Sequence, residues 1–418
     1  LNWAPTFAEN FLFFASYLPN GPLAWLVYGY GNFAGRNKML LLDKARPAPN
    51  PPPKVSIVIP AKDEQGRIRA CLQSALDQDY PNFEVIAVDD RSNDKTGQIM
   101  DEMAAADPRL KVLHIQPGSL GPGWTGKNNA LFQATRHADG KWLLFVDSDV
   151  LLQKAAVTRS VTVSQYKKYD LFSVLPKCES QSLWEGIMIP LCSAAAGTMY
   201  LIALNNNDRF SKISFANGQF MLMTRTAYDA IGGHETVKDR FCEDTEIARI
   251  IKERGMRPRI SFGDEICSVR MYDSLAAVIK GWSRIYYAAK VGRKKHIISA
   301  INFVVMNCLS AYPVLAYGIY RSLHPHGNML DDAWLWAAVV HVAVMFGVVG
   351  VIYHWSKNSF LNVLLLPVST VILLYILIKA LVMCFTKKVE WRGTTYSYTM
   401  AADKTLAGAM PAPVETVA

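Results

Sequence analysis

The chain has 418 residues, a formal net charge of +9, 51% hydrophobic residues and seven cysteines. The cysteines stand singly, with no Cys-x-x-Cys pair, which argues against a zinc site or a disulfide framework and agrees with a reducing compartment. Basic residues flank apolar runs, so the partner expected of the positive charge is anionic lipid rather than nucleic acid.

Asn10 to Gly35 lacks Asp, Glu, Lys and Arg, but Pro19-Asn-Gly-Pro22 interrupts it, and it reads as a kinked span or a re-entrant element. It has no basic n-region and no clear cleavage site, unlike a secretory signal. The chain begins at Leu1 rather than Met, so residues upstream of it are expected. Arg36, Lys38, Lys44 and Arg46 follow, and Arg46 to Pro53 holds five prolines in eight residues, a stiff linker.

After the linker the pattern alternates. Strands are predicted over Val55–Pro60, Glu84–Asp90, Leu110–Ile115 and Trp142–Asp147. Helices are predicted over Gly66–Gln78, Asp94–Ala106 and Gly126–His137. This rhythm implies a mostly parallel sheet with helices on both faces. Beyond Asp170 it loosens. Strands are expected within Phe215–Thr224 and Arg257–Phe262, a helix over Glu243–Arg254, and an amphipathic helix over Ser274–Lys290 carrying Trp282, Tyr286 and Tyr287. Leu183 to Leu204 is apolar around Glu185 and is expected to be a core or interfacial helix. Ile297–Tyr320, Ala333–Trp355 and Asn358–Ile378 lack acidic and basic residues and are long enough to span a bilayer.

The expected plan is a membrane segment over 1–45, a Pro-rich linker over 46–53 and a cytoplasmic α/β domain over 54–290 with its interfacial helix near 274–290. About three transmembrane helices fill 297–385, and a polar tail covers 386–418. The basic clusters before the domain and at Arg293-Lys-Lys295 place that domain in the cytoplasm by the positive-inside rule. Three spans after it would put Lys387, Lys388 and Arg392 outside, against the same rule.

Lys141-Trp-Leu-Leu-Phe-Val-Asp-Ser-Asp149 is an apolar run ending in two carboxylates. Asp147 and Asp149 would therefore emerge at the carboxyl end of a buried strand, where open α/β sheets bind ligands. Alone, the pair reads more readily as an Asp-rich strand-to-helix turn with Asp149 as a cap. Asp89 and Asp90 end a second strand, however, and Pro60-Ala-Lys-Asp-Glu64 follows the first. Acids on three strand ends suit a hard divalent cation with a diphosphate. Gly121-Pro-Gly-Trp-Thr-Gly-Lys127 opens a helix, where backbone N–H groups and the Lys127 charge can meet an anion. Its spacing is not that of a Walker loop, and a mobile loop with Trp124 packed on the surface is the plain alternative. In Phe241-Cys-Glu-Asp-Thr-Glu246, Asp244 can be a helix cap or a base within reach of an acceptor hydroxyl. His234 is the weaker alternative for the base and reads more readily as structural.

Taken in order, Val55-Ser-Ile-Val-Ile-Pro-Ala-Lys-Asp-Glu64, Val88-Asp-Asp-Arg-Ser-Asn-Asp94, Asp147-Ser-Asp149, Asn217-Gly-Gln-Phe220 and Glu243-Asp244 resemble the inverting glycosyltransferases of family 2. The resemblance covers roughly residues 54 to 290. The Gly121–Lys127 loop, Gln219-Phe-Met-Leu-Met-Thr-Arg225 with Gly232-Gly-His234, and Val389-Glu-Trp-Arg-Gly393 are similar to a membrane subgroup. That subgroup includes hopanoid-associated and carotenoid glycosyltransferases and is related to ceramide glucosyltransferases.

The resemblance implies a nucleotide-diphospho-sugar transferase fold, Rossmann-like, with transmembrane helices. It implies that Asp63 or Glu64 and Asp90 hold the nucleoside of a nucleotide sugar, a UDP-sugar first among donors. Asp149 with Asp147 would bind Mg²⁺ or Mn²⁺, Lys127 would face the diphosphate, and Asp244 would be the base for a lipid or polyisoprenoid acceptor. The location implied is multi-pass in a bacterial inner membrane, with the catalytic domain facing the cytoplasm. One departure stands out. Polymerising members carry Gln-x-x-Arg-Trp, whereas here the nearest match is Lys280-Gly-Trp-Ser-Arg284. This favours single transfer over a processive polysaccharide synthase and leaves Arg284 as the residue able to reach the diphosphate. A non-catalytic membrane scaffold is the third reading, opposed by the retained acids.

Overall fold

The computed structural model describes residues 7–39, 42, 48–116, 118–210, 212–289, 294–324, 331–386, 388–391 and 394–397. Lys44, Arg46, Arg293, Lys387, Arg392 and the tail from 398 lie outside the described residues, and with them much of the charge asymmetry on which topology was argued. Helices α1 (Phe7–Leu18) and α2 (Ala24–Lys38) are joined by a single π-helical turn, Pro19–Leu23. Pro22 has no N–H to give the helical ladder, so the turn widens there. The predicted break is a bulge in a continuing helix.

Then come β1 (Val55–Ala61), α3 (Ile68–Leu76), β2 (Phe83–Asp89), α4 (Thr96–Ala106), β3 (Leu110–His114), α5 (Gly126–Thr135) and β4 (Trp142–Val146). The alternation expected from the sequence is present, with ends displaced by a few residues. Next are β5 (Val150–Leu152), α6 (Ala156–Lys167), β6 (Leu171–Cys178), α7 (Leu183–Tyr200), β7 (Phe220–Thr224), α8 (Arg225–Ala230), α9 (Glu243–Glu253) and β8 (Pro258–Val269). The helices α10 (Leu275–Ala289), α11 (Lys294–Val304), α12 (Ala311–Leu323), α13 (Asp331–Trp355) and α14 (Leu366–Thr386) follow, before a short antiparallel pair, β9 (Lys388–Trp391) and β10 (Thr394–Ser397).

Eight strands form one sheet in the order β3-β2-β1-β4-β7-β6-β8-β5. The first four are parallel. β7 runs antiparallel to both β4 and β6, β8 lies parallel to β6, and β5 closes the far edge antiparallel to β8. The sheet is thus mixed, with a parallel half. Every residue of β1 and β4 is buried, as expected of parallel strands covered on both faces. Their side chains alternate between two cores. Ile57, Ile59 and Leu144 pack with α3, α4 and α6 on one face. Val58, Leu143 and Phe145 pack with α5, α8 and α9 on the other.

The strand order 3-2-1-4 reverses between β1 and β4. At such a point the crossover helices leave to opposite faces, and the carboxyl ends of the strands border a crevice. Three helical runs, Lys294–Leu323, Asp332–Trp355 and Phe360–Thr386, are long and apolar enough to cross a membrane. They share a third core with α7 and α10, including Ile187, Met188, Trp282 and Tyr286. A capping box, in which Ser182 Oγ accepts from the Glu185 N–H and the Glu185 carboxylate from the Ser182 N–H, starts α7 at the sheet.

The parallel half depends on one close backbone approach. The Gly140 N–H donates to Ser56 Oγ at 2.8 Å, and a Cβ added at Gly140 would lie 2.5 Å from Ser56 N and 2.6 Å from Trp142 O. Backbone on both sides cannot yield as a flexible side chain would. Gly140→Ala is therefore expected to destabilise the protein by about 1–3 kcal/mol, as over-packing does. Thermal unfolding of the purified full chain would read this as a lowered midpoint.

Candidate active site

The carboxyl ends of β1, β2 and β4, the start of α5 and the start of α9 enclose one cavity of about 1240 Å³. Glu64, Asp90, Lys127, Asp147, Asp149 and Asp244 all line it. At its other end the wall is apolar and aromatic, from α2, α7, α10 and the end of α13, and includes Tyr28, Ile189, Trp282 and Trp355.

Lys127, the second residue of α5, holds the centre. Its Nζ lies 2.7 Å from Asp147 Oδ1 and 2.8 Å from Glu243 Oε1. Burial alone would lower the Lys127 pKa, but the two carboxylates outweigh it and hold the ammonium well above its ordinary range. Glu243 is only 4% exposed. Its charge is compatible with that depth because the ammonium is in contact, whereas a buried carboxylate without a counter-charge would be costly.

Asp244 is the next residue on α9. Its Oδ2 accepts from the Gly218 N–H at 2.7 Å and its Oδ1 from the Thr245 N–H at 2.6 Å. Burial and the neighbouring Glu243 push its carboxyl well above the usual carboxylate range, against the pull of Lys127. Gly218 sits in the turn of Asn217-Gly-Gln-Phe220, and an added Cβ there would be 3.3 Å from both Asp244 Oδ2 and Lys127 Nζ. The turn is pinned below by Ser173 Oγ, which receives the Asn217 N–H at 2.8 Å.

Asp149 is raised in the same direction, by burial and then by the charges of Asp147 and Glu64, with Arg67 opposing. Carboxylates converge here beside Lys127, with Arg67 and Arg91 also in the cavity wall. Such an oxygen-rich set fits a hard divalent cation. Among the described residues, no group of three or more His, Cys, Asp or Glu could hold a metal by itself. A cation at Asp147 and Asp149 would take its remaining oxygens from water or substrate.

Asp90 is 5% exposed, and its Oδ1 accepts from Arg91 Nε at 2.8 Å. A Cβ at Gly126 would approach Asp90 Oδ2 to 2.5 Å and an Arg91 nitrogen to 2.8 Å, so glycine there lets α5 start against the β2 end. Arg284, on α10, lines the cavity from the membrane side.

Asp63 does not line the cavity. Its Oδ1 accepts from the Asn93 N–H at 2.7 Å, and its N–H donates to Ser92 Oγ at 3.0 Å, tying the loop after β1 to that after β2. Asp89 likewise turns away, to the Ser92 N–H and His114. Of the glycine-rich loop only Gly126 and Lys127 reach the cavity, while Trp124 packs on Phe132 with ring centroids 5.0 Å apart. His234 is fully buried, its Nδ1 3.0 Å from the Tyr228 hydroxyl. Burial pushes its pKa down to about 3, as suits a structural imidazole.

Sequence reasoning named Glu243 only as part of the Glu243-Asp244 motif, without a role, and did not single out Asn128. Glu243 stands beside Asp244, and linear spacing does not say that one meets Lys127 while the other meets Gly218. Asn128 is fully buried, and its Nδ2 donates to the carbonyls of Val237 at 2.7 Å, Lys238 at 3.2 Å and Arg240 at 2.9 Å. It thereby fastens the segment before α9 to α5.

The family model of glycosyl transferase family 21 matches residues 23–402. The 4,4'-diaponeurosporenoate glycosyltransferase of Staphylococcus haemolyticus (strain JCSC1435) is 27% identical over 304 residues, 71% of this chain and 77% of that protein. The enzyme of that name from Staphylococcus aureus (strain USA300) is 27% identical over 257 residues, 59% of this chain and 64% of that protein, less than two thirds of its length. Among solved structures, the mannosyltransferase PcManGT from Pyrobaculum calidifontis in complex with GDP-Man and Mn²⁺ aligns with a TM-score of 0.48 at 17% identity, covering 90% of this chain and 98% of that one.

Because Asn128 joins the elements that carry Lys127 and Glu243, Asn128→Ala should take one donor from each of three carbonyls, although Val237 O still accepts from the Arg240 N–H and Lys238 O from the Thr125 N–H. The expected cost is about 1–3 kcal/mol, together with reduced transfer activity at temperatures where the variant remains folded. Unfolding and activity measured on one preparation would check both.

Proposed function

The chain belongs to glycosyl transferase family 21 and is a glycosyltransferase, and from that premise we propose that it moves a single sugar, with inversion, from a nucleotide-sugar donor to a lipid or polyisoprenoid acceptor at a membrane surface. The observation that carries this reading is the single cavity joining the acidic sheet edge to an apolar wall shared with the membrane-length helices. A donor diphosphate suits the acidic end only with positive charge to receive it. A long apolar acceptor suits the other.

In this reading Glu64 and Asp90 hold the nucleoside, a UDP-sugar being the first donor to try. Lys127 and Arg284 face the diphosphate. Asp147 and Asp149 would hold Mg²⁺ or Mn²⁺, which when bound supplies charge neutralisation for the departing diphosphate. Asp244 accepts the proton of the acceptor hydroxyl while its oxygen forms a bond to the anomeric carbon. The bond from that carbon to the diphosphate breaks on the opposite side, and the nucleoside diphosphate leaves with the electron pair. The Gly218 and Thr245 N–H groups keep the Asp244 carboxylate oriented. The names of the relatives specify a carotenoid acid, and a carboxylic acid acceptor is already ionised at neutral pH. For such an acceptor Asp244 has no proton to take.

The setting proposed is multi-pass in a bacterial inner membrane, with the site on the cytoplasmic face. The division proposed is 54–290 for the transferase domain and 297–385 for the spans. Single transfer is preferred to polymerisation because Lys280-Gly-Trp-Ser-Arg284 departs from the synthase pattern. Product length separates the two.

Asp244→Asn is expected to lower transfer to a hydroxyl acceptor by about 10²–10⁴-fold, the usual range for a lost general base, and to lower transfer to a carboxylate acceptor much less. A variant as active as wild type on the hydroxyl acceptor would remove Asp244 from this role. The base acts only when unprotonated, and its pKa is raised. Hydroxyl transfer should therefore fall as pH drops through a value well above the usual carboxylate range, and a pH–rate profile would locate that limb. Chelation with EDTA should abolish transfer in wild-type membranes, and added Mn²⁺ or Mg²⁺ should restore it. Full activity in EDTA would refute the metal.

A further inference from the structure

Two glycines in the cavity wall are not explained by helix packing. Gly31 on α2 and Gly197 on α7 both line the cavity, and a Cβ built at either meets no heavy atom within 4 Å. Glycine inside a helix costs roughly 1 kcal/mol relative to alanine. Close approach of another element is the common reason to keep one, and neither position has it. What the two share is open space. α2 and α7 each pack on α13, and the segment Ile202–Leu204 touches both. Tyr28 on α2 also hydrogen-bonds to Thr198 on α7, so the two helices meet at that level, and the open space at Gly31 and Gly197 beside this contact is a slot between them with Ile202–Leu204 at one end.

The slot is continuous with the catalytic cavity, since Gly31, Gly197, Asp244 and Lys127 line the same space. Its outer flank is apolar: Val27 is 73% exposed and Leu201 is 48% exposed. Exposed apolar residues of this kind suit lipid better than water. On the inner wall, Trp282 is only 5% exposed, yet its indole N–H has no hydrogen-bond partner. A buried N–H of this kind is ordinarily satisfied, and an oxygen on a molecule in the cavity would satisfy it.

We infer that the slot between α2 and α7 admits the apolar chain of the acceptor sideways from the bilayer, and that Gly31 and Gly197 set the width of chain that passes. The inference rests on the acceptor reading given above. It adds where the chain lies, and it makes the N-terminal helix part of the substrate site rather than an anchor alone. The occupant is a long, narrow hydrocarbon, linear or with single methyl branches along its length, ending in a hydroxyl or carboxyl that reaches Asp244. The open flank at Val27 and Leu201 lets the far end of the chain remain in lipid.

The test uses the full chain in nanodiscs with the donor that wild type accepts from UDP-glucose, UDP-GlcNAc and GDP-mannose. Farnesol and farnesoic acid serve as long acceptors, and prenol and dimethylacrylic acid as short ones. Gly31→Leu and Gly197→Leu fill empty space, so both should fold. Each is expected to raise KM for the long acceptors by at least about tenfold, the effect of losing a few buried methylenes, and to leave kcat and KM for the short acceptors within about twofold of wild type. Gly197→Ala should fall between. Unchanged KM for the long acceptors in both leucine variants would overturn the slot while leaving lipid glycosylation standing. Equal losses with long and short acceptors would also overturn it, by showing a distorted site instead of a blocked path. Wild-type chain that turns over donor but glycosylates no lipid would defeat the acceptor reading itself, and this inference with it.

Discussion

One ammonium group organises the site. Lys127 Nζ joins Asp147, at the end of β4, to Glu243, at the start of α9. These residues are far apart in sequence, and their elements lie on different parts of a mixed sheet. Without the lysine, Glu243 would be a buried carboxylate beside Asp244 with no ammonium in contact. With it, Asp149 and Asp244 still have raised pKa values, first because both are buried and then because of the neighbouring carboxylates. Two buried carboxylates with raised pKa values are unfavourable as charged groups in the empty site and become less so when cationic charge arrives.

The second constraint is mechanical. α7 starts at the sheet, where buried Glu185 receives Arg270 Nε at 2.9 Å, and its body enters the apolar core of the membrane-length helices. It ends at Tyr200, which hydrogen-bonds to Cys242 and Thr245 on either side of the Glu243-Asp244 pair. One helix thus links the membrane core to the proposed base. A reacting group brought by a lipid can be registered against Asp244 only if membrane and sheet hold a fixed relation, and α7 with α10 supplies it.

In the parallel half, β1, β2 and β4 were legible because they are buried and read as nearly continuous apolar runs closed by acids where they emerge, while the edge strand β3 mixes apolar and polar residues. β5 and β6 were not, since three residues at Val150–Leu152 are too few for a pattern and Leu171–Cys178 contains Pro176. β8 was seen as Arg257–Phe262, but it extends to Val269. Gly263 and the charged Asp264-Glu265 interrupt its apolar pattern, and tertiary pairing with β5 and β6 carries it through. Among site residues, Glu64, Asp90, Lys127, Asp147, Asp149, Asp244 and Arg284 converge on one cavity. Asp63 was grouped with Glu64 by adjacency, yet its positive φ of 53° turns its carboxylate onto the neighbouring loop. Asn128 carries no chemical signal of its own, because its importance comes from three carbonyls more than a hundred residues away.

The central claim is a single displacement at the anomeric carbon, driven from the side of Asp244 while the diphosphate leaves toward Lys127. The anomeric configuration of the first product, followed by NMR before any mutarotation, tests it most directly. From an α-linked nucleotide sugar the account predicts a β-linked glycolipid. An α-linked product would contradict it, because retention requires either a covalent intermediate or attack from the leaving-group face.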